Sequence, residues 1–285
     1  MEYIYYPGCS LKGSDKPYEE SFLAVFRKLD IPVRELEDWN CCGATLFWGV
    51  NEKMALGMAA RNFARMGEST ADLIVPCSAC YLSLNKAKKR LDEDEAIRAE
   101  VTRTMGEAGY AGELWKGRIR HPLDVLVNDV GLPAIEKRLA RRLKGLVAAP
   151  YYGCEIVRPL CLFDDAQDPR FMDRLLETLG AKVVEWSLKT KCCGAIVAAS
   201  IEDVGTRLNG TILREAKRKG AGAIVTLCPL CHFNLESMQD KISRELGEDV
   251  RIPVLYFTQA LGLALGLSDT ELGLQRSLSP QLVLR

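Results

Sequence analysis

Ten of the eleven cysteines in this 285-residue chain fall into two copies of one pattern. The first copy reads Cys9, then Cys41-Cys42-Gly43, then Cys77-Ser78-Ala79-Cys80. The second reads Cys154, then Cys192-Cys193-Gly194, then Cys228-Pro229-Leu230-Cys231. Both copies leave 34 residues between the vicinal pair and the CxxC. The offset between copies is 151 residues at those four cysteines and 145 at the leading one. Such a chain is expected to fold twice into the same unit, each gathering five thiols from three loops.

The surrounding sequence repeats as well. Residues 2–9 (EYIYYPGC) parallel residues 146–154 (LVAAPYYGC), an apolar run of strand formers ending in Gly-Cys. A helical stretch follows, Tyr18–Leu29 or Arg170–Leu179, and then a short strand, Pro32–Leu36 or Lys182–Trp186. Long helical stretches, Ala44–Gly67 and Ala195–Gly220, lead to third strands at Asp72–Pro76 and Ala223–Leu227. Each third strand runs into its CxxC, where a last helix opens, Ala79–Leu91 or Leu230–Leu246. Strands alternating with helices in this way predict βαβ units and parallel sheets. The expected fold class is therefore α/β, two pseudo-symmetric, duplicated Rossmann-like domains, divided as 1–145 and 146–285. Residues 92–119 read as an insertion in the first copy, Glu136–Lys144 as a basic helix, and the tail after Ser268 as mobile. Every patterned cysteine then sits just beyond a strand's carboxyl end, the edge at which parallel α/β sheets bind ligands.

Composition narrows the chemistry. Lysine plus arginine and aspartate plus glutamate each number 38, so no net field favours nucleic acid or an acidic membrane. The basic run at 137–142 then reads as a solvated helix face. The opening residues, MEYIYYPGCS, lack the charged and apolar regions of an export signal. No stretch matches the roughly 18 apolar residues of a membrane span, and the run Ala260–Leu267 reads as a packed helix. A soluble, cytoplasmic location is expected. In a reducing compartment thiols serve metals or redox chemistry rather than disulfides.

A closed zinc site needs four ligands, and here each copy offers five. A dithiol of the thioredoxin kind would use the CxxC and leave three cysteines unexplained. Soft thiolates favour iron–sulfur clusters, usually four thiolates to a cluster. Five thiolates allow one spare ligand or a cluster of unusual shape with a bridging thiolate. The vicinal pairs suit the second arrangement, because adjacent side chains diverge. Gly43 and Gly194 would let backbone pass close to a bulky group, and a CxxC at a helix start places its sulfurs near backbone N–H groups. The ferredoxin pattern CxxCxxCxxxCP is absent, so a simple electron relay is not expected.

These motifs, together with Tyr5-Tyr6-Pro7-Gly8-Cys9 and Pro150-Tyr151-Tyr152-Gly153-Cys154, resemble those of the CCG-domain proteins. With both copies intact, the chain resembles heterodisulfide reductase subunits of the HdrB kind over nearly its full length. The resemblance implies two non-cubane [4Fe-4S] clusters. One would be held by Cys9, Cys41, Cys42, Cys77 and Cys80, the other by Cys154, Cys192, Cys193, Cys228 and Cys231. It further implies a disulfide oxidoreductase acting on a disulfide such as CoM-S-S-CoB between the clusters. Its partners would be a ferredoxin-type [4Fe-4S] protein of the HdrC kind and a flavoprotein of the HdrA kind. The same resemblance admits an electron-transfer or quinone-docking subunit of a succinate, fumarate or lactate oxidoreductase.

Other residues read more plainly. Lys12, Lys16, Arg158, Lys191 and His232 lie near the cysteines in sequence and could anchor an anion, but surface charge is the commoner role. Cys161 has no counterpart in the first copy and reads as a structural thiol. His121 reads as structural, and Trp39 and Trp186 either shield the cysteines or pack in the core.

Overall fold

The computed structural model describes residues 2–44, 46–110 and 115–282. Its frame is two four-stranded parallel sheets. Strands β1 (Tyr3–Tyr5), β2 (Val33–Glu35), β3 (Leu73–Ile74) and β4 (Ile119–Arg120) lie in the order β2-β1-β3-β4. Strands β5 (Val147–Tyr151), β6 (Lys182–Val183), β7 (Ala223–Thr226) and β8 (Val254–Tyr256) lie in the order β6-β5-β7-β8. Register repeats along with order: Ile4 faces Leu73, and its counterpart Ala149 faces Ile224. The central strands are buried except at Val147, which opens β5, as parallel strands covered by helices on both faces must be. The α/β class and the doubled parallel sheet expected from the cysteine repeat are the observed architecture.

The long helical stretches are interrupted where the sequence offers a cap. Ala44–Gly67 yields helices Leu46–Val50 and Glu52–Met66, because Asn51 Oδ1 accepts the Met54 N–H at 3.1 Å and restarts the helix. Ala195–Gly220 divides into Ala195–Ala198 and Glu202–Arg218, and the last stretch into Pro229–Ser237 and Gln239–Leu246. Within 92–119 the chain forms a helix, Glu95–Glu107, whose cap Asp94 accepts the Ile97 N–H at 3.0 Å; residues 111–114 of that insertion lie outside the described residues.

Two expectations are corrected. The basic segment is helical only over Leu132–Lys137. Beyond it the chain turns so that Arg138 reaches the Leu29 carbonyl at 3.1 Å and the Ala140 and Arg141 N–H groups reach the Ala264 carbonyl. Those carbonyls lie at ends of neighbouring helices and lack intrahelical partners, so the arginine run caps helices and does more than face solvent. The tail after Ser268 docks through its described length. Leu272 is fully buried, Arg276 pairs with Glu20 at 2.8 Å, and Ser279 donates to the buried Glu236 carboxylate at 2.7 Å. A carboxylate held in the interior needs such donors, and the tail supplies them.

The two sheets' units meet through matched aromatic pairs. Tyr18 stacks on Tyr256 with ring centres 4.2 Å apart, and Ser21 and Thr258 share a hydrogen bond of 2.7 Å. Phe163 stacks on His121 at 5.9 Å. Tyr18 and Phe163 are 145 residues apart, the same offset as Cys9 and Cys154; His121 directly follows β4, and Tyr256 ends the corresponding β8. Each copy thus sends one ring across to the other.

Candidate metal centre

The order β2-β1-β3 places a topological switch between β1 and β3, and the patterned cysteines follow the carboxyl ends of these three strands. Cys9 lies in a short helix beyond β1, the vicinal pair in the loop after β2, and Cys77 caps the helix Ser78–Glu93 that opens after β3. The second copy repeats the arrangement, with Cys228 capping Pro229–Ser237. All eleven cysteines are free thiols.

The structure brings each quintet together as a string of sulfurs. Cys9 meets Cys41, Cys41 meets Cys42, the Cys42 and Cys80 sulfurs lie 3.1 Å apart, and Cys80 meets Cys77. In the second copy Cys154 meets Cys192, the Cys193 and Cys231 sulfurs lie 3.5 Å apart, and Cys231 meets Cys228. All five second-copy cysteines line one narrow cleft, together with Tyr152, Glu155 and the first copy's Ser78. Among the described residues no three His, Cys, Asp or Glu side chains surround a single-ion position. The paired thiols run from solvent inward: Cys9 and Cys192 are exposed, while Cys42, Cys77, Cys80, Cys193, Cys228 and Cys231 are buried.

Equivalent side chains hold the cysteine loops. Tyr6 donates to the Asn40 carbonyl at 2.7 Å, and Tyr151 to the Lys191 carbonyl at 2.6 Å, in each case just before the vicinal pair. Ser83 donates to the Cys42 carbonyl and Asn234 to the Cys193 carbonyl, both at 2.8 Å. The role expected of the CCG glycines falls elsewhere. A Cβ at Gly43 or Gly194 would meet the following helix, Ala55 at 3.4 Å or Gly205 at 3.0 Å, rather than a sulfur. Gly8 and Gly153 are the ones that make room for sulfur: a Cβ there would lie 3.1 Å from Cys80 Sγ or 2.9 Å from Cys231 Sγ.

Crowding also sets protonation. Cys9 and Cys154 are pushed up by hydrogen bonds to Cys41 and Cys192, and burial adds to the rise. Cys192, accepting from Cys154, is pulled down to about 6. Cys42 and Cys193 are lowered by sulfur neighbours, Cys41 and Cys231 first, while Cys80 and Cys231 are raised by theirs. The free quintets therefore share protons, and a metal that takes thiolates must displace them. Metal uptake is expected to release protons and to strengthen from pH 6.5 to 8, which a pH-indicator titration with metal would record.

The remaining expectations sort by contact. Lys12 is engaged by Glu19 at 2.5 Å and Glu35 at 2.7 Å, and Arg158 reaches the Thr190 carbonyl. Lys16 and Lys191 are exposed. His232 is buried and stacks on Tyr256 at 4.0 Å, so it is no surface charge. Cys161 donates to the Asp164 carbonyl at 3.0 Å, away from the quintets. Trp186 is buried and bonds the Pro150 carbonyl at 2.9 Å, and Trp39 meets Tyr6 edge-on while bonding Glu35 at 3.1 Å.

His121 does more than follow a strand. Its Nε2 lies 3.0 Å from the Pro76 carbonyl, and the ring also contacts the Leu227 carbonyl. Tyr18 donates to the same two carbonyls at 3.2 and 3.1 Å. Those residues immediately precede Cys77 and Cys228, so two buried side chains clamp the two CxxC loops together. Burial lowers His121 to about 3. Above pH 6.5 both folded and unfolded chains hold it neutral; below that the unfolded chain takes up a proton that the folded chain refuses. Stability should then fall on acidification from 6.5 toward 3, by at most about 1.4 kcal/mol per pH unit from this group, with buried His232 acting in the same sense. Urea midpoints at pH 7 and 5.5, compared with His121→Asn, measure its share.

Sequence reading alone passed over Tyr18, Ser78, Ser83, Asn234 and Glu155. The 145-residue offset pairs Tyr6 with Tyr151 and could have marked them, whereas Ser83 and Asn234 share only a position and not a residue type.

The fold and site define a duplicated cysteine-rich α/β protein with one thiol quintet per copy. Residues 3–85 and 148–236 match the family described as CCG, cysteine-rich domain, and the chain belongs to that family. It is 30% identical over 97% of its length to the 8-methylmenaquinol:fumarate reductase membrane anchor subunit of Wolinella succinogenes, covering 96% of that protein. It is 29% identical over 95% of its length to the B subunit of ferredoxin:CoB-CoM heterodisulfide reductase from Methanosarcina mazei, covering 91% of it. The B subunit of the ferredoxin/F(420)H(2)-dependent CoB-CoM heterodisulfide reductase from Methanosarcina acetivorans is 30% identical, with 95% and 91% covered. Among solved structures, a hypothetical protein from Helicobacter pylori superposes on 99% of this chain with a TM-score of 0.77 at 14% identity. That likeness concerns the fold, and the chain spans 52% of that structure's length.

Proposed function

We propose that this chain is the iron–sulfur subunit of a heterodisulfide reductase-type complex. The observation that carries the reading is the intact, doubled thiol quintet, together with near full-length similarity to the two Methanosarcina heterodisulfide reductase proteins. The donor set fits the group. Five soft sulfurs per unit suit iron–sulfur chemistry, and Gly8 and Gly153 keep Cβ atoms clear of Cys80 and Cys231. Cys9, Cys41, Cys42, Cys77 and Cys80 would hold one non-cubane [4Fe-4S] cluster, and Cys154, Cys192, Cys193, Cys228 and Cys231 the other. When bound, two such groups supply one electron each, which matches the two electrons that an S–S bond takes up. The units would be residues 1–145 and 146–285.

This chain's own residues contribute position and enclosure. The clamp of Tyr18 and His121 fixes the two CxxC loops relative to each other, so that a disulfide could meet both copies at once. Buried Tyr6 and Tyr151 lie beside the inner sulfurs and keep water from them. Electrons would come from a ferredoxin-type protein of the HdrC kind and a flavoprotein of the HdrA kind, in the cytoplasm. Reduced viologen oxidation by the purified complex, assayed with heterodisulfide and with quinone analogues, tests the reading: turnover only with the disulfide is expected. Cys228→Ser should remove about half the iron and abolish that turnover while leaving the first unit loaded.

The Wolinella relative favours a second reading, an electron-transfer component of a quinone-linked reductase. Among the described residues no helix is long and apolar enough to cross a membrane. Turnover with quinone analogues and none with disulfides would select this reading.

A further inference from the structure

Ser78 lies between Cys77 and Ala79 of the first CxxC, yet it lines the cleft formed by the five cysteines of the second copy. Only 1% of it is exposed, and its hydroxyl has no hydrogen-bond partner among the described residues. A buried hydroxyl left without a partner costs free energy, so its retention calls for an acceptor that the bare chain does not provide. The clamp explains how it arrives there. Tyr18 holds the Pro76 and Leu227 carbonyls at 3.2 and 3.1 Å from one oxygen, which brings the first CxxC loop against the second.

The arrangement is one-sided. The residue equivalent to Ser78 in the second copy is Pro229, which has neither a hydroxyl nor a backbone N–H. The second quintet therefore gains a donor from the first, and Pro229 returns none. We propose that Ser78 donates a hydrogen bond to a sulfur of the group held by the second quintet, making the two centres inequivalent. A donor to sulfur favours the reduced, more negative state, and hydrogen bonds to sulfur are among the factors that set cluster potentials. The second centre accepts an electron more readily than it would without Ser78. This inference rests on the iron–sulfur reading above, and it assigns Ser78 to tuning and positioning, with no part in bond making.

Ser78→Ala tests it, in the full chain with and without its metal. In the metal-free protein the variant should unfold at a higher temperature than wild type, because an unpartnered buried hydroxyl is gone. In the loaded protein, redox titration followed by EPR should show one midpoint moved to more negative potential and the other unmoved. A Cys192→Ser variant identifies which signal belongs to the second quintet, and Ser78→Thr, which keeps the hydroxyl, should restore the wild-type midpoint. If iron loads normally and neither midpoint moves, or both move together, the inference is wrong and the iron–sulfur reading stands. If wild type itself takes up no iron, the failure belongs to that reading.

Discussion

Gly153→Ala is expected to destabilise the chain by about 2–5 kcal/mol and to empty the second quintet. The estimate sums two independent costs. Gly153 has a φ of +72°, where a Cβ costs about 1–2 kcal/mol. That Cβ would also sit 2.9 Å from Cys231 Sγ, overpacking a site where such insertions cost about 1–3 kcal/mol. The sulfur cannot retreat easily, since Cys231 is buried in the first turn of its helix and already contacts Cys193 at 3.5 Å. Gly220→Ala is the control. Its φ is +76° but nothing lies within 4 Å of the added carbon, so only the strain remains. Urea denaturation gives the stabilities, and iron content per chain reads the site. Equal costs for the two variants would show that Gly153 answers to the turn alone.

Loss of the Tyr18 side chain is the other large effect. Tyr18→Ala removes a fully buried ring at the junction of the copies and should cost about 3–5 kcal/mol. Tyr18→Phe keeps the ring and its stack on Tyr256 but deletes the hydroxyl that bonds two carbonyls. His121 still reaches both carbonyls, so the milder variant should cost about 0.5–1.5 kcal/mol. The distinguishing readout is coupling between the centres. If the clamp sets their separation, Tyr18→Phe should change the magnetic interaction between them at unchanged iron content. An unaltered EPR line shape in a destabilised protein would reduce Tyr18 to packing.

The parts of this account that depend on spacing could be read from the chain. Cysteine offsets of 151 and 145 predicted a doubled unit, and strands preceding each thiol predicted the sheet edge where the thiols meet. Hydrophobic periodicity did not disclose the break at Asn51, because a side-chain cap competes with helix continuation at a single residue. Nor could it assign the glycines. Gly43 and Gly194 stand beside the cysteines in sequence but face the next helix, while Gly8 and Gly153 face sulfurs that lie 72 and 78 residues later. Ser78 and His121 were beyond reach for a related reason. Ser78 lines a cleft of the other copy and His121 contacts a carbonyl of each, and contacts across the two units leave no periodic trace in either.

Metal content of the protein purified without oxygen is the most direct test of the central claim. Two clusters on two quintets predict about eight irons and a similar amount of acid-labile sulfide per chain, with EPR signals from two distinct centres after partial reduction. Zinc at about one ion per quintet, without sulfide and without an EPR signal, would contradict it.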